Sequence, residues 1–236
     1  MTRTLNEWKR ARWTWVYLFS LFVVQFLIES GIWGEKSAIY RSYGLSRTGL
    51  HDGYFPSIFT HGLIHASWTH TICNTFMLLI MGARLESWIG VRCMNFILLG
   101  GTLGGAVFHL MCGGTANDVL VGASGVVMAM VMVFCTLSPQ SRMWPLPVSA
   151  RNLGWGLLTS SLLLMLVNPS ANITGLSRIG AQLVRWGCAD WFRIGHACHF
   201  GGALIGWLYA RWLLRVPLTK EQLQQQRLRN DTRRSN

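Results

Sequence analysis

The chain has 236 residues, of which 51% are hydrophobic and 13% charged, with a net charge of +12 and twelve tryptophans. The apolar residues gather into long runs that a soluble core does not require, and a membrane span takes about 20 apolar residues, so the composition excludes an ordinary soluble domain. The positive charge falls mainly beside those runs, which speaks against a nucleic-acid partner, and six cysteines without a CxxC pair make neither a disulfide framework nor a metal site.

Residues 1–12 read as a short basic segment in the cytoplasm. The first apolar run covers 13–32. It is too long for the h-region of a signal peptide, and no small-residue cleavage site ends it. Further spans are predicted over 68–83, 93–111, 124–137, 153–167 and 197–214. The fold class is therefore all-α, a polytopic bundle of six transmembrane helices over 13–214. A basic tail, 215–236, follows. The fourth and fifth spans are short for a full crossing, as helices are that begin beside a cavity rather than lipid. With the N-terminus inside, 15 of the 21 Lys and Arg fall on the inner side, which places both termini in the cytoplasm. The expected location is a bacterial inner (plasma) membrane, with the lipid bilayer as a standing partner.

Three polar clusters interrupt this background. The first is His61, His65, His70 and Asn74; the second is Gly122-Ala-Ser124-Gly125; the third is His196 and His199. Polar groups at membrane depth are costly and face a cavity or a partner. With the N-terminus inside, the second, fourth and sixth spans all descend from the outer face. His70, Asn74, Ser124 and His199 then reach one depth, below the outer surface.

The chemistry follows from the residue types. A serine hydroxyl is a weak nucleophile that needs an adjacent base, which His199 supplies. Ser124 opens a helix, whose first amides and dipole favour a developing oxyanion. His70 and Asn74, one helical turn apart, can add two side-chain donors. The nearest acid to His199, Asp190, falls in the preceding loop, so a Ser–His dyad is the simpler reading. Gly122 and Gly125 permit a tight turn around the nucleophile. Gly202 and Gly206 form a GxxxG below His199, which lets the sixth span approach the fourth closely. No cofactor is called for.

These residues resemble the rhomboid family of intramembrane proteases. The matching stretches are His65-Ala-Ser-Trp-Thr-His70 with Asn74, Gly82-Ala-Arg-Leu-Glu86, the GASG at 122–125 and His199-Phe-Gly-Gly202. The resemblance implies a six-helix fold with a wet cavity open to the outer side. It implies cleavage of single-pass transmembrane proteins in or near the membrane segment. By match, Ser124 is the nucleophile, His199 the base, and His70, Asn74 and the Ser124 amide the oxyanion hole. It also implies structural roles for His65, as a hydrogen-bonded histidine, and for Glu86, as a brace for the loop after the first span. Two positions depart from the family pattern. Pro56-Ser57 stands where many members carry Trp-Arg, so that loop needs another anchor. Met128 stands where many carry an aromatic packed on the imidazole.

Two rival readings are a non-proteolytic rhomboid-like binder of membrane proteins and a small transporter. Binders typically lack the serine or the histidine, and a transporter would carry polar residues at several depths. A protease specialised for C-terminal sorting tails is a narrower form of the main reading. His61 and His196 read as structural histidines, and His51 and His109 are given no role.

Overall fold

A computed structural model describes residues 11–143, 147–171 and 173–215. Most of the expected cytoplasmic segments 1–12 and 215–236 lies outside them. The fold is all-helical; among the described residues the extended pairings are two isolated bridges, Leu45 with Leu120 and Arg142 with Ser149. In chain order the helices are α1 (Arg12–Glu29), α2 (Lys36–Tyr43), α3 (Arg47–His51), α4 (Ser57–Thr60), α5 (Trp68–Cys112), α6 (Ser124–Leu137), α7 (Ala150–Leu166), α8 (Leu176–Arg185) and α9 (His196–Leu213). Two 3-10 turns, Pro169–Ala171 and Ala189–Arg193, flank α8.

The second and third predicted spans are the two limbs of α5. The helix does not stop at the charged stretch 84–92, where a loop was expected. It runs to Gly90, turns there at φ 78°, and resumes at once. A positive φ is readily reached only by glycine, so one residue makes the whole reversal. α5 is long and apolar enough to cross a membrane; α6 is apolar but shorter.

α6 is the centre of the bundle. Every residue from Gly125 to Cys135 is buried, as expected of a helix apolar all round. α5, α7 and α9 pack around it. α1 lies outside, against α5, and bares Trp13, Trp15, Val16, Phe19, Phe22, Val23 and Phe26. So large an apolar face belongs against lipid rather than water.

Glu86 departs from expectation. Its carboxylate accepts from the amides of Trp13 (3.2 Å) and Thr14 (2.9 Å) and from the Thr14 hydroxyl (2.7 Å). The cap position of α1, Ala11, has no side-chain acceptor, so Glu86 satisfies the free first-turn amides instead. It therefore holds the start of α1, at the opposite end of that helix from the loop it was expected to brace. Gly82, one turn earlier, makes room for this contact, because a methyl there would stand 2.9 Å from Thr14 Cγ2.

The loop after α1 is tied to the segment before α6 by main-chain bonds. Leu45 and Leu120 exchange amide–carbonyl bonds at 3.0 and 2.8 Å, and the Thr48 amide donates to the Ala116 carbonyl at 3.1 Å. Tyr40 donates its hydroxyl to the His65 carbonyl at 3.0 Å, and Thr60 donates to Tyr43 at 2.9 Å. Ser57, at the place of the family's Trp-Arg, is fully buried and donates to the Tyr54 carbonyl at 2.6 Å. These bonds form a belt over residues 40–65.

Candidate active site

Ser124 is the first residue of α6. The two amides before it are already engaged: Gly122 N–H donates to the His61 carbonyl at 2.8 Å, and Ala123 N–H to His65 Nε2 at 3.2 Å. The first-turn amides of α6, Ser124's own among them, have no intrahelical acceptor. The turn before Ser124 is thus fixed by two histidines.

Both supporting histidines are buried. His61 donates from Nδ1 to the Ser57 carbonyl at 3.0 Å, which links the belt to the turn before the serine. Burial pushes the His61 imidazole down to about 4 and that of His65 to about 3, so both rings are neutral near pH 7. Neutrality is what allows His65 Nε2 to accept.

Gly122 is required twice over. Its φ is 111°, and a Cβ there would stand 2.6 Å from His70 Cε1 and 3.5 Å from Asn74 Nδ2. The turn before the serine therefore lies flat against the two expected oxyanion donors. Asn74 is buried, and its Nδ2 has no partner among the described residues. A buried amide donor without a partner costs about 1–3 kcal/mol, so one kept in a cavity wall is positioned for a ligand oxygen.

His199 lies in the first turn of α9. The close approach of α9 to α6 is made by glycine. A methyl on Gly202 would come within 2.9 Å of Gly125 Cα, and one on Gly206 within 2.7 Å of Ala129 Cα. The expected GxxxG contact is formed. A second contact was not foreseen: Gly201 meets Gly104 on the second limb of α5, where a methyl would stand 2.8 Å from the Gly104 carbonyl carbon. The sequence signal was available in the doubled pair Gly100-Gly101 and Gly104-Gly105.

Ser124, His199, His70 and Asn74 line one cavity of about 730 Å³. They come from the start of α6, the start of α9 and the first limb of α5. His109, Asp118, Asn168, Arg193 and His196 also line it. His109 was given no role, yet its Nε2 donates to the Asp118 carbonyl at 3.1 Å in the cavity wall. His196 donates to the Trp191 carbonyl at 2.7 Å, a structural role as expected. Asp190 is paired with Arg193 at 3.2 Å on the surface, away from service as a third triad member. Cys198 was likewise missed. Its buried thiol sits between Gly105 and Gly125, beside the start of α6. A cysteine in an apolar run reads as packing, and nothing in the sequence marked it.

Met128 does not line the cavity. It is buried with Met132, Leu158 and Ala203, and Phe200, the residue after His199, packs on that cluster. Glu86 serves α1 and is not part of the site. Among the described residues no group of three or more His, Cys, Asp or Glu is placed to hold a metal ion.

Residues 52–216 match the Rhomboid domain, which is more than half of the chain and includes every residue named above as lining the cavity. No curated protein matches the chain.

Proposed function

The chain belongs to the rhomboid family, a membrane-embedded family whose members are in general intramembrane serine proteases, and from that premise we propose that it cleaves single-pass transmembrane proteins in or near the membrane segment through a Ser124–His199 dyad. The observation that carries this reading is the convergence of Ser124, His199, His70 and Asn74, which are up to 129 residues apart in sequence, on one cavity.

The chemistry runs in two halves. His199 takes the hydroxyl proton as Ser124 Oγ attacks the scissile carbonyl. The oxyanion is met by the Ser124 amide, the unspent Asn74 amide and the His70 imidazole. The imidazolium then protonates the leaving amine, and the acyl-enzyme remains on Ser124. Water entering from the cavity mouth, activated by His199, releases the second product. The substrate helix must unwind locally first, because helical carbonyls are already hydrogen-bonded and shielded. Substrates with small or helix-breaking residues near the outer face are accordingly preferred.

In this reading the six long helical segments, α1, the two limbs of α5, α6, α7 and α9, each cross the bilayer. Both termini are cytoplasmic, in keeping with the inward bias of Lys and Arg, and the cavity opens to the outer side. The test is covalent labelling of the purified full chain with a fluorophosphonate. Mass spectrometry should find the adduct on Ser124. Labelling should be lost in Ser124→Ala and strongly reduced in His199→Ala. Labelling of another serine, with Ser124 unmodified, would contradict the assignment.

A further inference from the structure

The segment between α7 and α9 holds a feature that the catalytic reading does not use. α8 is sharply two-faced. Leu176, Ile179, Gly180, Leu183 and Val184 fall on one arc, and Arg178 and Arg185, seven residues apart, fall on the other. Glycines with positive φ, Gly175 and Gly187, bound it at both ends. Its main packing is on the two flanking 3-10 turns.

Only the middle of the apolar arc is covered. Gly180 lies against Val167 and Pro169. On either flank Ile179 is 51% exposed and Val184 is also bare. The bare surface continues through Trp186 (70% exposed), Trp191 and Ile194. The segment 192–195 that follows forms one wall of the cavity.

Charge says what covers this surface. The other cations of this side are neutralised within the protein: Lys36 by Glu29 at 2.6 Å, Arg41 by Asp52 at 3.4 Å and Arg193 by Asp190 at 3.2 Å. Arg47 donates to the carbonyls of Gly113 and Gly114. Among the described residues Arg178 and Arg185 have no acidic partner. Exposed apolar flanks and two unmatched arginines on one helix, followed directly by two exposed tryptophans, form the pattern of a segment lying in a membrane interface.

We propose that α8 lies in the plane of the outer bilayer surface, with its apolar flanks and Trp186 among the acyl chains and with Arg178 and Arg185 on anionic lipid headgroups. The proposal rests on the membrane placement given above and is independent of proteolysis. Its consequence for the site is mechanical, since the surface helix fixes one end of the chain that forms the cavity wall at 192–195.

The test is hydrogen exchange on the full chain in nanodiscs, with no activity readout. Amides of α8 should exchange roughly thirtyfold more slowly when phosphatidylglycerol is mixed into phosphatidylcholine, the gain expected from two arginines near an anionic surface. Arg178→Gln/Arg185→Gln should abolish that difference and leave exchange in α9 unchanged, which shows that the bundle is intact. Equal exchange in the two lipid compositions overturns the proposal. So does protection that follows the number of protein copies per disc rather than the lipid, because a second copy would then be the occupant. Loss of labelling at Ser124 with the lipid effect intact would remove the protease reading and leave this one standing.

Discussion

Ser124 is held from two sides, and the two sides work differently. Below it, α6 and α9 meet along Gly125, Ala129, Gly202 and Gly206, where backbone touches backbone and one methyl has nowhere to go. Above it, the belt of residues 40–65 holds the turn before Ser124 by hydrogen bonds from His61, His65 and their neighbours. A steric seam fails abruptly, since neither main chain can yield. A hydrogen-bonded belt fails by degrees, because each bond is worth only about 1 kcal/mol net and the groups it releases can re-pair or meet water. The seam therefore sets whether α6 and α9 bring Ser124 and His199 together at all, and the belt sets how the turn before Ser124 is held.

The sharpest way to break this contrast is Gly202→Val. It should cost about 3 kcal/mol, the upper part of the range for overpacking, and abolish cleavage; thermal unfolding in detergent and a cleavage assay would show both. If Gly202→Val left stability and cleavage intact, the seam would not be the steric element described here.

His65→Ala removes the acceptor of the Ala123 amide and should cost about 1–3 kcal/mol, with activity reduced but present. His65→Gln, whose side-chain carbonyl can accept in its place, should recover part of that loss. The same bond gives the belt a pH dependence. His61 and His65 are held below their ordinary 6.5, so the unfolded chain binds protons that the folded one refuses. Their contribution is present above pH 6.5 and declines as the pH falls toward 4, and unfolding temperatures measured across that window should fall with it.

The smallest effect is expected at Glu86→Gln, which keeps one acceptor oxygen for the start of α1 and removes the charge. Stability should fall by about 1 kcal/mol, with cleavage per folded molecule unchanged. A specific loss of cleavage at that position would tie Glu86 to the site after all and blur the contrast.

Much of this was legible in the sequence because polar residues stand out against an apolar background. Ser124, His199, His70 and Asn74 were visible for that reason, and they do line one cavity. The seam was half legible: Gly202 and Gly206 have a recognised spacing, while Gly104 and Gly201 were overlooked in runs of other glycines. Charge misled at 84–92. Arg84, Glu86 and Arg92 read as a loop, yet the helix carries them past the apolar core, and Glu86 spends its charge on the amides of α1. The short helices α2, α3 and α4 went unread because none is long enough to show a dominant period, whereas α8 went unread although its apolar residues recur at helical spacing. The belt was unreadable in principle, since main-chain bonds such as Leu45 to Leu120 carry no side-chain signature.

The central claim is tested most directly by cleavage of a model single-pass substrate in proteoliposomes, comparing the full chain with Ser124→Ala and His199→Ala. The account predicts that the unaltered protein cuts in or near the membrane segment. Both variants should lose cleavage while unfolding at the same temperature. Undiminished cleavage by either variant would contradict it.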